Sequence, residues 1–125
     1  MIEYFHPIKV YYRDIDKMGI VYYSRYFEYF EESRTELFAS MGLQITNVEQ
    51  EGVALPVISS HCEFKKGAKF EDVILIRSCV NEMPRSTLKI SYMAVLKKTN
   101  DLLAKGHTTV SYTHLTLPTT DRGEM

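Results

Sequence analysis

Tryptophan is absent from the 125-residue chain, and cysteine occurs only twice, at Cys62 and Cys79. Two thiols are too few for a disulfide-built scaffold. Both fall in strand-like stretches, so they are expected to serve as small buried apolar residues. The four histidines, His6, His61, His107 and His114, show neither HxH nor HxxxH spacing. No paired cysteine motif accompanies them, which argues against a metal site. A Gly-rich phosphate loop and a GxSxG nucleophile elbow are both missing. Fifteen basic residues against sixteen acidic ones give a formal net charge of -1, without the basic surplus that general nucleic-acid binding requires. No run approaches the roughly 18 apolar residues of a membrane span. The opening Met1 to His6 lacks the basic start and apolar stretch of a secretory signal. Cytoplasmic residence follows as the default.

What is present is ordinary for one folded domain: 45% hydrophobic and 25% charged residues, with six glycines and four prolines. Ile8 to Arg13, rich in β-branched and aromatic residues, reads as a strand. From about Tyr23 to Met41 the period changes. Tyr23, Phe27, Phe30, Arg34, Leu37, Phe38 and Met41 recur at three- and four-residue steps, which predicts an amphipathic helix of about five turns. Ser24 is a candidate cap, and Gly42 is a natural stop. Strands are expected over Ala54 to Phe64, Asp72 to Glu82, Thr87 to Lys97 and Leu102 to Val110, with short turn-rich connections at 83–86 and 98–101. One strand, one long helix and about four hairpin-linked strands make an α+β arrangement, an antiparallel sheet holding one helix. A helix this long is best covered by a sheet that curls around it.

Asp14 and Asp16 lie in the turn before that helix, followed by Gly19. A helix N-terminus carries unpaired N–H groups and partial positive charge, which can polarise a carbonyl and stabilise an oxyanion. A carboxylate beside it can attack the carbonyl or activate water. Gly19 would let the backbone approach a ligand closely. From spacing alone, however, capping or dipole pairing is the stronger reading of such acids.

The run Tyr12-Arg13-Asp14-Ile15-Asp16-Lys17-Met18-Gly19-Ile20-Val21-Tyr22-Tyr23, followed by Tyr26 and by Phe30-Glu31-Glu32-Ser33-Arg34, resembles the signature of the 4-hydroxybenzoyl-CoA thioesterase family. These are hotdog-fold acyl-CoA thioesterases that include the thioesterase associated with the Tol–Pal system. The likeness continues through Glu63 to Asp72 and covers roughly residues 5 to 110. It implies a hotdog fold, a five-stranded antiparallel sheet wrapped around one long helix. It implies hydrolysis of an acyl- or aroyl-CoA, with Asp16 as nucleophile or as general base for water. Tyr23 would contribute its backbone N–H as oxyanion donor, because relatives carry either histidine or tyrosine there and only a backbone role survives that exchange. Asp14 is expected to orient the turn or cap backbone groups, and Glu31 to be structural. Arg34, on the apolar stripe, is expected to be a buried or interfacial ion-pair partner.

Coenzyme A brings phosphates, for which Lys65, Lys66, Lys69 and Arg85 are the candidate ligands; the family's next basic position is Ser86 here. No cofactor is implied, because coenzyme A is part of the substrate. The resemblance further implies edge-to-edge dimers and often tetramers. The alternative is a non-catalytic acyl-thioester binder or scaffold, partnering acyl carrier protein; a hotdog dehydratase ranks last, since Tyr23 stands where its histidine would be. Residues 1–110 are assigned to the hotdog domain. Residues 111–125 depart from the family's C-terminus and resemble translated sequencing-adaptor read-through, an atypical tail expected not to be native.

Overall fold

Alternation along Thr87 to Leu96 sends Leu88, Ile90, Tyr92 and Ala94 to one face, and all four are buried. The same period places Ile74, Ile76 and Val80 on the inner face of the neighbouring strand, and Ala104, Thr108 and Val110 in the core from the next. The computed structural model describes residues 2–42, 53–80, 86–111 and 113–114. Its elements are β1 (Ile2–Lys9), α1 (Tyr23–Ser40), β2 (Val53–Ala54), β3 (Val57–Phe64), β4 (Val73–Val80), β5 (Thr87–Leu96), β6 (Leu102–Ser111) and β7 (Thr113–His114). Five of these strands form one sheet in the order β1-β4-β5-β6-β3, with every neighbouring pair antiparallel. The helix packs on the inner face, against β1, β4 and β3. Register shifts between Ala94 and Val95 and between Val57 and Ser59 are the irregularities that bend strands and let a sheet curl. The expected α+β architecture, one long helix on a five-stranded antiparallel sheet, is what the chain adopts.

Several boundaries differ from the sequence-based expectation. The first strand starts at Ile2 and ends at Lys9, and Tyr12–Asp14 form a 3-10 turn instead of its continuation. The aromatic, β-branched run up to Arg13 imitates a strand, but Asp14 bends the chain by taking the Tyr11 N–H on its carboxylate, 2.9 Å away. Ser24 lies inside α1; Tyr22 is the N-cap and gives no side-chain cap. The buried stripe of the helix is Tyr26, Tyr29, Phe30, Ser33, Leu37 and Phe38. Tyr23 and Phe27 are exposed. Both assignments share Phe30, Leu37 and Phe38, so the real stripe is rotated at its N-terminal end. Ser33 tolerates full burial because its hydroxyl donates to the Tyr29 carbonyl at 2.8 Å. Arg34 is partly exposed and, among the described residues, faces no carboxylate; it lies beside the buried phenol of Tyr92.

The connection at 98–101 is a tight turn, with Asn100 at φ +66° and its N–H donated to the Leu96 carbonyl at 2.7 Å. The other expected connection, at 83–86, falls on residues of which only Ser86 is described. The last long strand extends one residue past Val110 to Ser111, whose N–H donates to the Pro56 carbonyl at 2.8 Å. Thr113 and His114 then pair with Ala54 and Val53.

Candidate active site

The segment between the 3-10 turn and the helix is a small hairpin in its own right. Ile15 pairs with Val21, the Asp16 N–H donates to the Ile20 carbonyl at 2.9 Å, and the Gly19 N–H returns to the Asp16 carbonyl at 3.0 Å. Gly19 sits at φ +78°, a left-handed conformation that glycine adopts without penalty. Asp16 stands at the first corner of this hairpin, half-buried, beside a surface cleft of about 340 Å³ lined by Tyr12, Ile15, Asp16 and Lys17. One carboxylate oxygen accepts the Met18 N–H at 2.8 Å, which fixes the rotamer. Among the described residues no group holds the other oxygen.

The hairpin is anchored at its base and along one side. At the base, the Tyr22 N–H donates to the Asp14 carbonyl at 3.1 Å, so the strand leaving the hairpin runs directly into α1. Along the side, Ile20 pairs with Lys69 and the Val21 N–H donates to the Ala68 carbonyl at 2.9 Å. Gly67 makes this approach possible. A Cβ there would lie 2.8 Å from Ile20 Cγ2 and 3.1 Å from Ile20 Cβ. Gly67→Ala is therefore expected to destabilise the protein by about 1–3 kcal/mol, the usual cost of overpacking. Urea denaturation measures it, and a loss below about 0.5 kcal/mol would show that Ile20 has room to retreat.

The helix that follows begins without a side-chain cap and without an acid in its first turn. Among the described residues the Tyr23 and Ser24 N–H groups therefore keep their hydrogen-bonding capacity at the positive end of the helix dipole, while the Arg25 N–H donates to the Tyr22 carbonyl at 3.0 Å. Tyr22, Tyr23 and Phe64 form a chain of ring contacts over this end, at centroid distances of 5.2 Å for each successive pair. All three rings are substantially exposed. Tyr26 continues the cluster inward, 5.6 Å from Phe64, and burial followed by the Cys62 charge pushes its phenol up to about 12. It is neutral at any physiological pH.

Asp16, Gly19 and Tyr23 thus belong to one continuous unit, the hairpin and the helix start. The basic candidates do not gather in the same way. Lys65 pairs with Glu63 at 3.2 Å and Lys66 with Asp101 at 2.7 Å, near the start of β6. Lys69 is adjacent to the hairpin through its pairing with Ile20, and among the described residues no carboxylate holds its ammonium group. Arg85 lies outside the described residues. Asp14 does what was expected of it: its carboxylate is buried and spent on a backbone N–H. Cys79 is buried as expected and Cys62 is partly so. Burial, then the neighbouring Glu63, raises the Cys62 thiol to about 11, so it supplies no thiolate at neutral pH.

Two features escaped the sequence reading. In the sequence Glu63 to Asp72 shows only the family likeness and three candidate phosphate-binding lysines, yet the main chain at Ala68 and Lys69 is the buttress of the Asp16 hairpin. The small pair Gly67-Ala68 between lysines was the available signal. The second is Arg25, whose contacts with Arg13 and Asp14 cross from the helix to the turn.

Residues 10–118 match a family model described as the thioesterase-like superfamily. The acyl-CoA thioesterase YbgC of Haemophilus influenzae is 32% identical over 83 residues, 66% of this chain and 61% of that protein. The 4-hydroxybenzoyl-CoA thioesterase of a Pseudomonas species is 30% identical over 77 residues, 59% of this chain and 55% of that one. The chain thus spans less than two thirds of the length of these two relatives. Among solved structures, Slr0204, a 1,4-dihydroxy-2-naphthoyl-CoA thioesterase from Synechocystis, superposes with a TM-score of 0.84 over 90% of this chain and 83% of that one. At 22% identity this likeness speaks to the fold alone. With the sheet order and the long helix in agreement with that fold, the chain belongs to the thioesterase-like superfamily, in the hotdog-fold branch that contains the 4-hydroxybenzoyl-CoA thioesterases.

Proposed function

We propose that this protein is an acyl-CoA thioesterase, converting an acyl- or aroyl-CoA and water into the free acid and coenzyme A. The observation that carries the chemistry is the junction of the Asp16 hairpin with an uncapped helix start. A thioester carbonyl set against the first N–H groups of α1, that of Tyr23 foremost, would be polarised there. Asp16 either attacks that carbonyl carbon or takes a proton from the water that does. The developing oxyanion is stabilised by the helix N–H groups, and the thiolate of coenzyme A departs; where Asp16 is the nucleophile, water then hydrolyses the acyl–Asp16 anhydride to the free acid and restores the carboxylate. Lys69, beside the hairpin and without a carboxylate partner among the described residues, is the lysine best placed for a coenzyme A phosphate. Thiol release from a panel of aliphatic and aroyl-CoAs tests the reading, and a wild-type protein that releases no thiol from any of them refutes it.

The same reading includes a homodimer. β3 is an edge strand whose residues are exposed or at most half-buried, with Ile58 58% and Val57 46% exposed. An exposed eight-residue edge strand with apolar side chains at Val57, Ile58 and Phe64 is a surface on which another chain can pair. Ile58→Lys is expected to shift the protein from dimer towards monomer at micromolar concentration in sedimentation velocity. A wild-type protein that sediments as a monomer would end this part of the proposal.

A further inference from the structure

Asp14 works from both its main chain and its side chain. Its carbonyl closes the base of the hairpin on the Tyr22 N–H, and its carboxylate, 5% exposed, holds the Tyr11 N–H. Arg25, in the first turn of α1, meets this turn from the helix side. Its Nε lies 3.7 Å from Asp14 Oδ1, and its Nη2 donates to the Arg13 carbonyl at 3.1 Å. Its Nη1 donates to Glu28 Oε1 at 2.9 Å, a pair three residues apart on the exposed helix face. Together these groups line a cleft of about 300 Å³ that also contains Tyr29.

The contacts differ in weight. The Arg25–Glu28 pair is exposed and of the kind that contributes little to stability. The contact with Asp14 is of another kind, because removing the guanidinium would leave a buried carboxylate with less compensation. The planar fork of arginine also reaches the carboxylate and the Arg13 carbonyl at once, which a lysine cannot do. Arg13 and Asp14 lead directly into Asp16, and Tyr22 leads directly into the helix start. A single side chain therefore ties the two halves of the site together without touching Asp16.

We propose that Arg25 is a positioning residue, fixing through Asp14 and the Arg13 carbonyl the angle between the Asp16 hairpin and the N-terminus of α1. The proposal rests on the hydrolysis reading for its kinetic consequence, though not for its structural one. A misplacement of about 1 Å at a reacting group costs on the order of 100-fold. Arg25→Gln should accordingly lower kcat by roughly 10- to 100-fold with KM changed by less than about 3-fold. Arg25→Lys should recover part of the loss, because it restores the charge facing Asp14 but not the fork. In an Asp16→Asn background, Arg25→Gln should cost less than about two-fold, since the group being aimed is already gone. Glu28→Gln, which removes only the exposed partner, should stay within about two-fold of wild type.

Amide hydrogen exchange reads the structural half independently of turnover. In Arg25→Gln, protection at the Asp16, Gly19 and Tyr22 amides should fall by about 10-fold or more, while β5 amides keep theirs. Unchanged protection at those three amides overturns the proposal, whether or not the protein hydrolyses thioesters. So does a kcat per folded molecule equal to wild type. A wild-type protein that releases no thiol sinks the hydrolysis reading, and the exchange experiment still decides the role of Arg25.

Discussion

Asp16→Asn is expected to lower kcat for acyl-CoA hydrolysis by about 100- to 10,000-fold, the range associated with losing a positioned base or nucleophile. Asparagine is nearly isosteric with aspartate, and its side-chain carbonyl can still accept the Met18 N–H that holds Asp16 at 2.8 Å. The hairpin should therefore keep its shape, and the substitution removes the negative charge and the second basic oxygen. KM should move by only a few-fold, because the helix N–H groups and the aromatic cluster around Tyr23 and Phe64 are untouched. Thiol release under saturating substrate gives the comparison, with urea denaturation confirming equal folding. A kcat within about three-fold of wild type would remove Asp16 from the mechanism. A loss confined to KM would reassign it to substrate binding.

The chain order of strand, helix and strands was legible because its signals are local. β5 alternates cleanly, and the helix announces itself by a change of period near Tyr23. Much of what could not be read was set by distant partners. The face of the helix that is buried depends on where the sheet lies, and Tyr26 and Tyr29 are buried while Tyr23 and Phe27 look outward. Tyr11 to Arg13 have the composition of a strand, yet the Asp14 carboxylate captures the Tyr11 N–H and turns the chain. In the site, Asp16 and Gly19 were visible as a motif close in sequence. The buttress from Gly67 and Ala68 was not, because their contacts with Ile20 and Val21 join segments nearly fifty residues apart. Lys66 reads as a candidate phosphate ligand in the sequence, and only the fold pairs it with Asp101, 35 residues away. Charge patterns along a chain carry no information about such neutralisation unless the partners are a helical turn apart.

Phe30→Ala is expected to have the largest effect on stability, a loss of about 3–5 kcal/mol. Phe30 is fully buried on α1, and its ring lies nearly parallel to that of Tyr92 on β5, with centroids 4.3 Å apart and an interplanar angle of 2°. The sheet makes room for it at Gly106 on β6, where a Cβ would come within 3.0 Å of Phe30 Cε2 and 2.2 Å of the His61 carbonyl. The ring is thus a contact through which the helix rests on the centre of the sheet. Truncation forfeits its transfer free energy, the ring pairing with Tyr92 and the contacts around the resulting cavity. Against a total stability of about 5–15 kcal/mol for a domain, this is a large fraction. At a few degrees per kcal/mol for a chain of this size, Tm should fall by roughly 10–20 °C. Phe30→Leu, which refills most of the volume, should recover more than half of the loss. The hairpin is held by Asp14, Ala68 and Lys69 and not by Phe30, so kcat per folded molecule at low temperature should stay within a few-fold of wild type. Thermal denaturation at fixed protein concentration, paired with turnover measured well below Tm, separates the two quantities. A Tm shift below about 3 °C would mean that Phe30 does not anchor the helix to the sheet. Abolished turnover in a protein that is still folded would mean instead that the Asp16 hairpin depends on the core beneath α1 more than its own hydrogen bonds indicate.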